Sequence, residues 1–422
     1  MTPLRHRIED RLLAAWAALA GLALWLPALG VPLGRILMQP MDLLVIAGLP
    51  LIPTFWRQFT GPAFWVLMPL PASLCLGWFA VGGQLLVLLW TLLFALPFLA
   101  LMTLAFKRRL ARTVLLKSLI LGAGLSALLF LAQIAFGADR LDFRTNTAFS
   151  LPPQYGRGFA LFPEVSTFAT HAIMALGLGL ALVMHPLTAP RLRRRALARV
   201  RALLVARLFS RSTSVIVLAP LLGGAAVVVT SRPTLNTLLM TMGLALVGAV
   251  ILSLFLQAFY VDRLASHAAE RSAAMRLASI LGGLSPLISG EIFGMGLGEN
   301  DAVRLRAHEA ARALGRCFGN LPVGINSQVV SRLFEEGWPA ALHLGLGAAL
   351  LLKARRRARM SPETAALFVF AVGSALAALL VTGYRGIYTN WVWLAAAAAL
   401  APAQRRTADP RPGPEGQPCA AM

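Results

Sequence analysis

Charge is what this sequence has least of. Asp, Glu, Lys and Arg make up 13% of its 422 residues, against about 25% in soluble globular proteins. With 58% hydrophobic residues and a mean hydropathy of +0.72, that scarcity excludes an aqueous fold over such a length. Cysteine is almost absent. The three present, Cys75, Cys317 and Cys419, are odd in number and widely separated, which excludes a disulfide framework and a zinc site. The 17 acidic residues form no cluster with the spacing of a magnesium site, so neither a metal nor a cofactor is expected. No internal repeat is visible. Basic residues precede the first apolar run, but no convincing cleavage site follows, so a retained first helix is expected.

What is abundant is apolar runs separated by basic clusters. Net charge is +22, and such an excess raises the question of a nucleic-acid partner. Here it encodes topology instead, because the arginines and lysines fall between apolar segments: Arg5 to Arg11, Lys107 to Arg112, Arg191 to Arg201, Lys353 to Arg359, and Arg405 with Arg406. Spans are predicted at 12–29, 36–55, 62–81, 84–106, 114–136, 164–185, 213–230, 234–257, 337–352, 364–382 and 387–402. These eleven leave the two basic ends on opposite sides. A twelfth, at 196–211 and interrupted by Arg199, Arg201 and Arg207, restores an even count with both termini cytoplasmic. The competing segment, 277–298, holds Pro286, Glu291 and six glycines and is the poorer span.

The fold expected is therefore all-α and polytopic, with about twelve transmembrane helices in a single domain over 1–402. Residues 403–422 read as a disordered cytoplasmic tail. The loop at about 258–336, with eight basic and eight acidic residues, reads as exported. Within it, 302–318 has helical periodicity with Ala307, Ala311, Leu314 and Phe318 on one face.

Three stretches carry polar residues that this background does not absorb. Arg157 to Ser166 leads into an apolar helix, with Pro163 and Glu164 expected in its first turn and His171 two turns further along the same face. A helix cap plus one satisfied buried histidine is the simpler account of that pattern. Ser210-Arg211-Ser212-Thr213 could present a guanidinium fork to a diphosphate if the twelfth span exists. The outer loop supplies Arg276, a bare Gly294-Met295-Gly296-Leu297-Gly298, then His308, Asn326-Ser327 and Glu335-Glu336-Gly337. The glycines lack the strand-helix context of a dinucleotide site.

In order and spacing these stretches resemble the O-antigen polymerase and O-antigen ligase superfamily, whose larger branch is the Wzy-type polysaccharide polymerases. The resemblance covers roughly 140–352 and departs where Ile325 replaces the histidine that many members place before the Asn. It implies a GT-C-like glycosyltransferase of the bacterial inner membrane. Its donor would be a polyprenyl-diphosphate-linked oligosaccharide, its environment membrane lipid, and its companion a chain-length regulator or export complex. Glu164, Arg157, Arg211, Arg276 and His308 would then be catalytic, with His171, Ser166, Asn326 and Glu335 binding substrate. A ligase acting on lipid A core shares this chemistry, and a transporter of lipid-linked sugars is the alternative from a different class.

Overall fold

The computed structural model describes residues 3–33, 36–145, 158–209, 214–230, 267–298, 300–313, 315, 327–380 and 387–401. The protein is a predominantly α-helical membrane protein. Among the described residues, five helices are long and apolar enough to cross a membrane: Pro62–Val81, Leu85–Lys107, Arg109–Phe136, Val165–Met184 and Pro362–Leu380. Large apolar side chains also face outward, including Phe79 (80% exposed), Leu352 (75%) and Leu342 (73%). In water such a surface would aggregate; against lipid it is the expected exterior.

Val165–Met184 lies at the centre, buried on nearly every side by the helices Pro190–Phe209, Ser214–Thr230 and Pro362–Leu380. Small residues allow these close approaches. A Cβ on Gly177 would meet Val369 at 3.0 Å and Leu222 at 3.2 Å, and one on Gly179 would lie 2.4 Å from Val200. The last helix, Val392–Leu400, is mostly alanine and wholly buried. On the far side, Pro3–Ala23 runs along Arg109–Phe136, where Trp25 stands against Gly122.

Several predicted spans are not continuous. The segment 36–55 begins in an antiparallel pair of three-residue strands, Val31–Leu33 with Ile36–Met38, and continues as Pro40–Gly48 and Leu51–Thr54. Pro40, Pro50 and Pro53 divide it, since proline suits a helix start and breaks an interior. Pro69 similarly splits 62–81 into Pro62–Leu67 and Pro69–Val81. A single π-turn, Thr91–Ala95, precedes Pro97 in the next. The segment 234–257 lies outside the described residues.

Of the segment 196–211, residues 196–209 lie in a helix, Pro190–Phe209, that packs antiparallel on the central one, with Val200 against Gly179 and with Ala196 and Leu203 lining one cavity with Ala175 and Leu178, while 210 and 211 lie outside the described residues. Both helices share one end, where His185 Nε2 donates to Arg359 O at 3.3 Å and the Arg359 guanidinium donates to Val228 O. The basic clusters near 107–112 and 353–359 belong to this basic end, and Asp10 pairs with Arg108 there at 3.5 Å. Glu164 sits at the opposite end.

The predicted outer loop contains two packed helices, His267–Ile288 and Asn300–Ala313, joined through Ala278, Ala307 and Ala311, with Arg304 and Arg312 exposed, while Leu314 and Phe318 lie outside the described residues. The glycines between them form a clasp. Met295 N donates to Phe334 O (2.8 Å), Gly296 N to Glu335 O (3.2 Å), and Gln84 N to Leu297 O (2.7 Å). Gly83, at φ +119°, faces Leu297 so closely that a Cβ would lie 2.4 Å from its nitrogen.

Candidate functional site

The loop before Val165–Met184 is held from two sides. Gln133, a lone amide in the apolar helix Arg109–Phe136, accepts from Phe159 N (2.9 Å) and Ala160 N (2.7 Å) and donates to Leu141 O and Ala160 O. These bonds fix Ala160 at φ +52°, a backbone conformation that costs a non-glycine residue energy. Gly158 is needed because a Cβ there would stand 2.8 Å from Phe130 O.

From the other side comes Arg144, whose side chain is 3% exposed. It grips Asp142 with two nitrogens (2.8 and 2.7 Å), donates to Pro163 O (2.8 Å) and lies 3.6 Å over the Phe159 ring. Burial works to raise the Asp142 pKa, but the hydrogen bonds and charge of Arg144 outweigh it and hold the carboxyl below its ordinary range.

Glu164 is thereby delivered to the helix mouth as the N-cap residue, with extended backbone (φ −150°, ψ 164°). The helix starts at Val165, so Pro163 and Glu164 precede its first turn instead of forming it. The carboxylate does not cap the helix backbone. It accepts instead from Ser166 Oγ and, at 3.5 Å, from Thr167 Oγ1, and it is half-buried. A half-buried carboxylate held by hydroxyls retains acceptor capacity for another proton donor.

His171 lies deeper and is fully buried. Its Nδ1–H donates to Thr167 O (2.8 Å), and its Nε2 accepts from Thr389 Oγ1 (2.5 Å). Phe162 and Trp25 enclose the ring, with centroids at 4.6 and 6.0 Å. Both nitrogens are committed, so His171 is a core histidine beneath the mouth in this structure.

Thr389 belongs to a short polar hub, the 3-10 turn Tyr388–Trp391, which sequence reasoning passed over. Tyr388 donates to the buried Asp42, Thr389 to His171, and Trp391 lies under Arg332 at 5.7 Å. Four polar or aromatic residues in succession at the head of an apolar segment were the available signal.

The hub leads to a second cluster built around the helix Gln328–Glu336. Ser327 caps this helix, accepting from Val330 N at 3.2 Å and donating to Ala378 O at 3.1 Å. Arg332 binds Glu336 through Nε (2.8 Å) and Nη2 (2.7 Å), and Ser73 Oγ donates to the same carboxylate at 2.9 Å. Arg332 Nη1 also donates to His343 Nδ1 (3.2 Å), whose Nε2–H donates to Val66 O (2.9 Å). Arg332 and Glu336 are 1% and 0% exposed. Their i,i+4 spacing was legible, but nothing local showed that the pair is buried.

Of the residues predicted from sequence, Glu164 and Ser166 are in direct contact and His171 lies below them. Glu335 accepts from Ser331 on its own helix at 3.0 Å. Arg276 and His308 sit half-buried on the outer helix pair and, among the described residues, make no hydrogen bond to Glu164, Ser166 or His171. Arg157, Arg211 and Asn326 lie outside the described residues. No family model matches the chain, and no curated protein matches it.

Proposed function

We propose that this chain is a membrane glycosyltransferase that polymerises lipid-diphosphate-linked oligosaccharide units into exopolysaccharide or O-antigen. In this reading it works at the periplasmic face of a bacterial inner membrane, and its termini are cytoplasmic. The observation that carries the proposal is the half-buried Glu164 carboxylate, held by hydroxyls on a loop that Gln133 and Arg144 immobilise.

The reaction breaks the bond between the donor's anomeric carbon and its phosphate oxygen. An acceptor hydroxyl oxygen forms the new glycosidic bond, its proton passes to Glu164, and the lipid diphosphate departs with the bonding electrons. A fixed base and fixed donors aimed at the developing charge are what such a step needs. Arg157 and Arg211 are proposed to supply the guanidinium forks for the diphosphate. The antiparallel pairing of Pro190–Phe209 with the central helix supports this, because a helix of that length carries the chain about 30 Å from the basic end towards the Glu164 end. Arg332 is given no such role, since Glu336 already neutralises it.

The test is the product left in a deletion strain. Single repeat units accumulating on the lipid carrier support a polymerase. Full-length polymer on the carrier would indicate the ligase, and units trapped on the cytoplasmic side the transporter, and either would replace this reading.

A further inference from the structure

A cavity of about 430 Å³ opens at the basic end of the bundle, away from Glu164. Its charged lining is Lys107, Arg112 and Arg357, brought together from two basic segments far apart in sequence. None of its described lining residues is acidic. Arg112 lies within electrostatic reach of Arg109 and Arg357 as well as of Glu363, and Lys107 within reach of Arg357. Like charges gathered in a partly desolvated space repel strongly unless an anion joins them.

Two independent features point to such an anion. Arg112 lines the cavity and, among the described residues, makes one hydrogen bond, from Nη1 to Phe106 O at 3.3 Å. A guanidinium has five donors, so its terminal nitrogens keep donors for a ligand in the cavity. The cavity also receives the N-terminus of the helix Pro362–Leu380, whose Ser361 and Thr364 line it. Ser361 Oγ accepts from Thr364 N at 3.3 Å, and the hydroxyls of the two residues lie 2.9 Å apart. Partial positive charge from the helix end therefore adds to the three cations, an arrangement suited to phosphate.

Met360, which is exposed, gives the remaining wall its apolar surface, backed by the buried Phe106 and Leu400. A free inorganic ion has no use for that wall, whereas an amphiphile carrying phosphate beside acyl chains fits both halves. We propose that this cavity binds the phosphate of an anionic membrane lipid. Basic pockets between transmembrane helices are known to hold such headgroups. The site would tie the first half of the chain to the second through a ligand and is separate from the proposed glycosyl-transfer site.

The test compares the wild-type protein, Arg112→Gln/Arg357→Gln, and Arg194→Gln/Arg195→Gln, whose arginines are exposed and outside the cavity. Each is reconstituted in phosphatidylcholine nanodiscs with or without phosphatidylglycerol or cardiolipin, and separately exposed to inorganic phosphate. The expected result is a higher Tm for the wild type with anionic lipid, and anionic lipid retained through purification. The cavity variant should lose the Tm gain and retain about tenfold less lipid, while the Arg194/Arg195 variant behaves as wild type. In pure phosphatidylcholine, Arg357→Gln alone should be at least as stable as wild type, because repulsion is relieved; this arm stands even if the double variant fails to fold. Stabilisation of the wild type by inorganic phosphate alone would assign the site to a free ion and overturn the lipid assignment. Equal lipid stabilisation of all three proteins, or none of the wild type, would overturn the site itself.

Discussion

Glu336 and Glu164 are both carboxylates near a helix end in an apolar protein, and their surroundings are opposite. Glu336 is fully buried, and Arg332 and Ser73 saturate its oxygens. Glu164 is half-buried, and its described partners are two hydroxyls of the helix that it precedes. The first is a closed system, costly to break and with no capacity to spare. The second is held in its backbone and, among the described residues, bonded at its oxygens by hydroxyls alone, which is the condition of a group that acts on something else. Burial and charge alone would have ranked them the other way round.

The comparison breaks most visibly at the closed cluster. Arg332→Ala leaves Glu336 buried and unpaired, and should cost about 3–5 kcal/mol, seen as loss of monodisperse protein after heating in detergent. Arg332→Met combined with Glu336→Leu should recover most of that loss, since a buried pair replaced as a unit is often tolerated. Gln133→Leu strips partners from Phe159 N and Ala160 N, at about 1–3 kcal/mol for each buried donor left unpaired. Unlike the closed-cluster variants, it should lower polymer yield even at equal protein level, because the Glu164 loop loses its anchor. Gly83→Ala places a Cβ against Leu297 at φ +119° and should cost about 1–3 kcal/mol with no specific effect on activity. Smallest is Ser73→Ala, at about 1 kcal/mol by thermal denaturation, because Arg332 still pairs with Glu336.

The membrane class and most helices were legible because hydropathy and proline act locally. The helix over 300–313 follows from apolar periodicity, whereas the breaks at Pro40 and Pro69 fall inside segments read as continuous spans and come from the missing N–H and fixed φ of proline. What escaped the sequence depends on partners distant along the chain. Gln133 looks like one stray amide until Phe159 and Ala160 are placed beside it, and Arg144 until Pro163 is. The glycines from Gly294 to Gly298 carry no message without Gly83, Gln84 and Phe334. His171 shows the reverse: its spacing from Glu164 suggested a shared face, and packing turned it to Thr389 and an aromatic cage.

The most direct test of the open mouth sets Glu164→Gln beside Glu336→Gln in the same membrane, with protein level and polymer length measured together. Glutamine keeps size and an acceptor but loses basicity. Glu164→Gln should insert and accumulate normally while polymer formation falls by about 10² or more, and Glu336→Gln should lose protein in the first place. A Glu164→Gln protein that makes polymer of normal length and yield would contradict the account and return Glu164 to a structural role.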